Sequence, residues 1–149
     1  MRKLFCIIIT LIYSVTLFAQ ERITLLFVGD LMQHDAQIKA AKGTEGYDYS
    51  DCFKHVKKEI SEADIAIGNL EVTLGGKPYR GYPSFSAPDE FLYAIKDAGF
   101  DVLLTANNHC LDRGKHGLER TVHLLDSLQI PFLGTYSNPK DHQQHSPLL

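Results

Sequence analysis

Three clusters of polar side chains in this sequence contain residue types that bind metal ions or transfer protons. They comprise Asp30 with His34, Asn69 with Glu71, and Asn107 and Asn108 with His109. Carboxylate, amide and imidazole groups suit hard or borderline divalent ions such as Mn, Mg, Zn or Fe, and no thiolate is required. A carboxylate can bridge two ions, and a nearby histidine can donate a proton to a leaving group. The clusters therefore predict metal-assisted hydrolysis or transfer.

Each cluster directly follows an apolar run that indicates a β-strand. The runs cover residues 23–28, 65–67 and 102–105, and a fourth strand is predicted at 132–133. Amphipathic helices are predicted between them, over 51–62, 88–98 and 117–128. This alternation is typical of βαβ units, and the unbroken apolar character of the first run indicates a strand buried on both faces. Because parallel strands end at one edge of the sheet, we expect the three clusters to converge.

Each of these residues has a structural explanation as well. Asp30 could cap a helix that begins near Met32, Glu71 could be an exposed loop carboxylate, and His109 could be a capping or core histidine. The occurrence of all three at strand ends favours a shared site over three separate structural roles.

Two basic side chains lie on the loop rich in Gly and Pro that covers residues 73–83. Lys77 and Arg80 are candidates for binding an anionic substrate above the same sheet edge, or they are solvated loop residues. Covalent catalysis through serine is disfavoured, because the sequence has no G-x-S-x-G motif.

The N-terminus has the pattern of a secretory signal peptide. Arg2 and Lys3 precede an uncharged apolar run over residues 4–18, which Ala19 follows. Cleavage after Ala19 would separate a signal peptide (1–19) from the chain 20–149, and an uncleaved anchor is the alternative. The run is shorter than the ~20 residues of a membrane span, so no transmembrane helix is expected in the mature chain. We expect a periplasmic or cell-surface location.

The composition is that of a globular protein, with 44% hydrophobic and 22% charged residues. Without residues 1–19 the chain keeps 130 residues with 13 basic and 18 acidic side chains. Such an acidic balance disfavours nucleic-acid binding, which requires a basic surface. Cys52 and Cys110 remain, and we expect both to be free and buried, with a disulfide bond between them as the alternative.

Four short strings stand out between residues 27 and 121. They are Phe27-Val28-Gly29-Asp30-Leu31-Met32, Gly68-Asn69-Leu70-Glu71, Ala98-Gly99-Phe100-Asp101, and Ala106-Asn107-Asn108-His109 with Asp112, Gly114, Gly117 and Thr121 behind it. Together they resemble the CapA family of poly-gamma-glutamate capsule biosynthesis proteins, of the calcineurin-like metallophosphatase superfamily. The resemblance implies an α/β fold: the N-terminal half of a metallophosphatase-like layered sandwich, with mainly parallel strands and flanking helices.

The resemblance also implies a role for each site residue and a cofactor of two divalent ions. In chain order, Asp30 is a ligand of the first metal, Asn69 a supporting residue, Glu71 the bridging carboxylate, Asn107 a supporting residue, Asn108 a ligand of the second metal and His109 the proton donor. The superfamily has a histidine where this chain has Met32, which leaves His34 as a supporting candidate ligand. Arg113 stands where the family more often has an aromatic residue.

The implied function is synthesis, export or anchoring of a poly-gamma-glutamate-type polymer by metal-dependent hydrolysis or transfer. An anionic polymer or a phosphate ester is the implied substrate, and membrane proteins of capsule synthesis are the implied partners. The alternatives are a general metallophosphoesterase of the cell envelope and a non-catalytic polymer-binding module.

Family members continue into a second half that supplies further histidine ligands. Because those ligands are not in this sequence, we expect the 149-residue chain by itself to be an inactive fragment, poorly stable and weak or deficient in metal binding. Thermal melting and calorimetric titration with Mn²⁺ test this expectation. A cooperative melt together with tight stoichiometric binding would contradict it.

Overall fold

A computed structural model describes residues 22–145, which fold as strands alternating with helices. The strands are β1 (Leu25–Leu31), β2 (Ile65–Leu70), β3 (Val102–Leu104) and β4 (Phe132–Leu133). The helices are α1 (Asp35–Ala41), α2 (Lys57–Glu62), α3 (Asp89–Ala98), α4 (Gly114–Ser127) and α5 (Pro139–His145). The α/β class is therefore confirmed, and the predicted signal peptide lies outside the described residues. None of the helices within 22–145 is long and apolar enough to cross a membrane.

The four strands form one sheet in the order β1-β2-β3-β4, and each neighbouring pair is parallel. Sequential strands are thus also spatial neighbours, with a helical connection after each. As a result, the chain leaves the first three strands at the same edge of the sheet, as the alternating pattern predicted.

Local sequence signals place some helix ends accurately and others poorly. Pro88 is the N-cap of α3, and Gly99 ends that helix with a left-handed φ of 100°, which a glycine adopts without strain. The predicted helix over 51–62 begins only at Lys57, because residues 51–56 form turns. Helix α5 lies in a polar stretch for which no element was predicted.

The hydrophobic core lies between one face of the sheet and the helices. Ala66 and Leu103 on this face have no exposed surface, and Leu92 of α3 and Leu125 of α4 are equally buried in the same cluster. Each fully buried leucine side chain contributes roughly 1.5–3 kcal/mol to folding. The packing of α3 and α4 therefore holds the strands in register.

The opposite face of the sheet is open to solvent, which corrects the expectation that the first strand is buried on both faces. Leu25 is 51% exposed and Phe27 is 68% exposed. By register, Leu25 lies beside Ile65 and Phe27 beside Ile67, so the apolar side chains form a continuous strip. An apolar run is compatible with burial of a strand on both faces. Such burial also requires other elements to pack against each face, and the run itself does not indicate that they do.

The two cysteines of the described region are free, as expected. Cys110 is half-buried, but Cys52 is exposed, so the expectation of burial was wrong for Cys52. It lies in the turns before α2 rather than within a helix.

Tyr49 is 3% exposed, and its hydroxyl has no hydrogen-bond partner among the described residues. Burial, assisted by the negative potential of Cys52 and Tyr47, raises the pKa of this phenol above its ordinary value of 10.0. The folded chain therefore keeps its proton where the unfolded chain releases it. The resulting stability is complete below pH 10 and is lost as the pH rises further.

We expect Tyr49→Phe to leave the free energy of unfolding at pH 7 unchanged or higher by up to about 1 kcal/mol, because it removes an unsatisfied buried hydroxyl. The variant should also lose less stability than the parent between pH 9 and pH 11. Urea denaturation at these pH values measures both effects, and Tyr93→Phe, at an exposed tyrosine, is the matched control. A clear loss of stability at pH 7 would show that the Tyr49 hydroxyl has a partner.

Candidate functional site

The first two polar clusters meet because of an irregularity in β1. Val28 pairs with Gly68, but the next pair is Asp30 with Asn69, so one strand has an extra residue at Gly29. Such a bulge rotates the following side chains onto the other face. It turns Asp30 away from the helix layer and places it beside Asn69, on the open face of the sheet.

Asn69 joins two carboxylates through its amide nitrogen. Nδ2 donates to Asp30 Oδ1 and to Glu71 Oε2, both at 2.8 Å. The amide oxygen accepts a hydrogen bond from Asn107 Nδ2 at 3.1 Å, which determines the orientation of the group. The residue that was expected to play a supporting part therefore lies at the centre of the cluster.

The two carboxyl groups respond in opposite ways to their contact. The hydrogen bond from Asn69, followed by the one shared with Glu71, lowers the pKa of Asp30. Partial burial, the hydrogen bond shared with Asp30 and the negative charge of Asp30 raise the pKa of Glu71. Glu71 thus holds a proton more readily than Asp30, and a cation placed between them would relieve the same repulsion.

Asn107 connects this pair to the third cluster. Its Nδ2 also donates to the backbone oxygen of Leu70 at 2.9 Å, and its Oδ1 accepts from the backbone N–H of His109 at 3.0 Å. One side chain therefore ties the end of β2 to the turn after β3. Asn108, the next residue, is exposed.

His109 is held by a carboxylate that sequence reasoning did not assign to the site. Its Nδ1 lies 2.8 Å from Asp112 Oδ2, and the two side chains are 15% and 12% exposed. Nδ1 acts as the donor when it bonds a carboxylate, which leaves Nε2 as the nitrogen for chemistry. The spacing of three residues between a histidine and an aspartate in a turn was the available signal.

Phe85 packs against both candidate histidines. Its ring lies edge-on to His109, with centroids 4.6 Å apart, and edge-on to His34, at 5.0 Å. His34 is the N-cap of α1 and is exposed. His34 therefore lies on the same side of the molecule as His109, and the Phe85 ring packs against the imidazole of each. Lys77 and Arg80 are exposed on the loop before Phe85.

The donor types at this edge suit a hard divalent ion, since Asp30 and Glu71 offer carboxylate oxygens beside amide groups. Within residues 22–145, however, no three His, Cys, Asp or Glu side chains lie close enough together to hold a metal ion. Asp30 and Glu71 are therefore a pair of carboxylates in hydrogen-bond contact with one amide group, rather than members of a cluster of three such ligands.

Comparison with known proteins adds a family to this geometry. The model of the family described as bacterial capsule synthesis protein PGA_cap matches residues 24–148. The capsule biosynthesis protein CapA of Bacillus anthracis is 32% identical over 127 residues, which is 81% of this chain and 30% of that protein. Two proteins of Sinorhizobium fredii, the uncharacterized proteins y4sH and y4uA, are each 32% identical over 91 residues, 55% of this chain and 20% of theirs. The chain thus spans 20–30% of the length of these curated relatives.

The adjacent residues Asn107 and Asn108 allow a direct test of this geometry. We expect Asn107→Ala to lower the free energy of unfolding by about 1–3 kcal/mol, because it leaves the Leu70 carbonyl and the His109 N–H without their partner. Asn108→Ala, the same change at an exposed position, should stay within about 0.5 kcal/mol of the parent. Urea denaturation compares the two, and equal losses would contradict the contacts described for Asn107.

Proposed function

The chain belongs to the family of bacterial capsule synthesis proteins PGA_cap, and on that basis we propose that its protein acts in capsule biosynthesis by metal-dependent hydrolysis or transfer. The proposed substrate is an anionic polymer of the poly-gamma-glutamate type, or a phosphate ester met in making, exporting or anchoring it. The reaction would take place outside the inner membrane, in the periplasm or at the cell surface, next to membrane proteins of capsule synthesis.

One observation carries this proposal. The pair of carboxylates, Asp30 and Glu71, and the pair formed by His109 and Asp112 lie at one sheet edge, joined through the amides of Asn69 and Asn107. A site that hydrolyses or transfers a group needs a charged ligand set on one side and a proton donor on the other. The presence of two carboxylates and a histidine–aspartate pair within one hydrogen-bonded network supports the proposal that they fill these two roles.

Asp30 and Glu71 would hold the first divalent ion, and Asn108 would contribute to a second. A bound divalent ion withdraws electron density from a substrate oxygen and lowers the pKa of a water molecule to about 7. Mn, Mg, Zn or Fe would suit the oxygen donors of this set. Within residues 22–145, no three His, Cys, Asp or Glu side chains lie close enough together to hold a metal ion. The remaining ligands would therefore come from outside these residues.

His109 would donate a proton from Nε2 to the leaving group. Asp112 accepts from Nδ1 and so fixes both the tautomer and the direction of the ring. The low exposure of this pair keeps water from competing for the same contact. Lys77 and Arg80, exposed on the loop above, would attract the anionic substrate.

A second candidate, a non-catalytic module that binds the polymer, is favoured by the incomplete ligand set of the described residues. Such a module would need the basic loop but not the proton donor. A general metallophosphoesterase of the envelope would use the same site without affecting the polymer.

Substitution in the native host separates these candidates. We expect Glu71→Gln, which would remove a charged ligand of the ion, and His109→Gln, which would remove the general acid, to change the amount or the chain length of the surface polymer. Removal of a general acid slows a reaction by about 10²–10⁴-fold. His55→Gln, at an exposed histidine before α2, is the control and should behave as the parent. Polymer staining and chain-length analysis give the readout.

Normal polymer together with unchanged phosphate-ester turnover in both site variants would overturn catalysis and favour the binding module. Loss of phosphate-ester turnover with unchanged polymer would favour the general phosphoesterase instead.

A further inference from the structure

The loop between β2 and α3 closes into a small hairpin next to His109. Arg80 and Ser86 exchange two backbone hydrogen bonds, Arg80 N–H to Ser86 O at 3.1 Å and Ser86 N–H to Arg80 O at 2.9 Å. The residues 81–85 between them form its tip. Because both ends of the tip are joined, its side chains keep a defined position above the site.

On one side, the tip is hydrogen-bonded to Asp112, the residue that contacts His109. Ser84 Oγ donates to the backbone oxygen of Asp112 at 2.7 Å, and the Phe85 N–H donates to Asp112 Oδ2 at 2.7 Å. This is the same carboxylate oxygen that contacts His109. Phe85 itself is 1% exposed. The hairpin and the proton donor therefore share one anchor.

On its other side, the tip is hydrogen-bonded to the first residue of α1. The Gly81 N–H donates to Asp35 Oδ1. A Cβ at Gly81 would lie 2.7 Å from the backbone nitrogen of Asp35 and 2.9 Å from the Cα of His34. Only glycine permits this approach, so the position of the tip depends on Gly81.

In the hairpin, the side chains of Arg80, Tyr82 and Pro83 are exposed, and Tyr82 is 74% exposed. The guanidinium of Arg80 donates to Ser84 Oγ at 3.4 Å and has no carboxylate partner among the described residues. Arg120 behaves differently, since its two terminal nitrogens bind both carboxylate oxygens of Asp89, at 2.8 and 2.7 Å. Arg80 is therefore linked to Asp112 through Ser84, and the side chain is exposed to solvent.

From this arrangement we infer that the Arg80–Ser86 hairpin is the substrate-recognition element of the site, in which Arg80 binds an oxyanion of the substrate beside His109. Arginine suits this role because its planar guanidinium makes paired hydrogen bonds to a carboxylate or a phosphate. The inference rests on the proposed function and deepens it by naming the residue that selects an anionic group.

Charge supports the assignment. Asp30 and Glu71 bring negative charge to one end of the site, and an anionic polymer needs a positive group within reach of the reacting bond. Carboxylate and phosphate share the chemistry that Arg80 would recognise. The substrate supplies one or the other, and binding measurements distinguish them.

The test is binding of two probes to the full 149-residue chain without added metal. Inorganic phosphate and a short glutamate peptide are titrated by calorimetry, and the backbone amide signal of His109 is followed by NMR. We expect one of the probes to bind and to shift that signal. Arg80→Gln should weaken binding at least tenfold, and Arg80→Lys should restore only part of it, because the charge returns without the planar fork.

Two further variants make the result specific. Arg22→Gln removes an equal charge at an exposed position before β1 and should bind like the parent. Gly81→Ala keeps Arg80 but displaces the tip from α1, so it should weaken binding as well. Stronger binding of phosphate or of the peptide identifies which oxyanion the hairpin selects.

Equal binding by the parent and Arg80→Gln, or no binding of either probe by the parent, would overturn the inference. These results are independent of the capsule assay. Loss of polymer in His109→Gln with unchanged binding in Arg80→Gln would leave the catalytic proposal standing and remove this one. The reverse pattern would keep the oxyanion site and remove catalysis.

Discussion

A single extra residue in β1 determines where the candidate site forms. Without the bulge at Gly29, Asp30 would continue the alternation of Leu26 and Val28 and point into the helix layer, where an unpaired carboxylate is strongly disfavoured. With the bulge, Asp30 lies beside Asn69 on the opposite face. The contact between Asp30 and Glu71, and the opposite changes in their pKa values, both follow from this shift in register.

The open face of the sheet and the candidate site are parts of one surface. Asn69 alternates with Gly68 and Leu70, which are buried against the helices, so its amide lies on the same face as Phe27. Leu104, which is 40% exposed, is the register neighbour of Asn69. The helix layer therefore stabilises the strands from behind, while an apolar strip adjoins the polar cluster in front. Any layer that covered this strip would also form a wall of the site.

Much of the architecture follows from local sequence signals, but the contacts within the site do not. Apolar runs predicted the parallel strands, and the glycine after α3 predicted its end, because both depend on short-range preferences. The pairing of His109 with Asp112 depends on the conformation of a turn. The residues around Gly29 are of the same types as those at an ordinary strand end, so the sequence does not reveal the bulge. The position of Phe85 between two histidines depends on a loop that closes on itself. A turn contact and a bulge leave no periodic pattern in a sequence, and neither does the long-range packing of Phe85 against His34 and His109.

Asp112 gives the site a form of coupling that a list of ligands would not show. One carboxylate oxygen accepts from the hairpin at Phe85 N and contacts the imidazole at His109 Nδ1. The hairpin contributes a second contact to the imidazole as well, because the Phe85 ring packs edge-on against His109. The direction of the His109 ring therefore depends on the position of the hairpin. A group that binds the hairpin and a group that receives a proton from His109 would then act on the same few atoms.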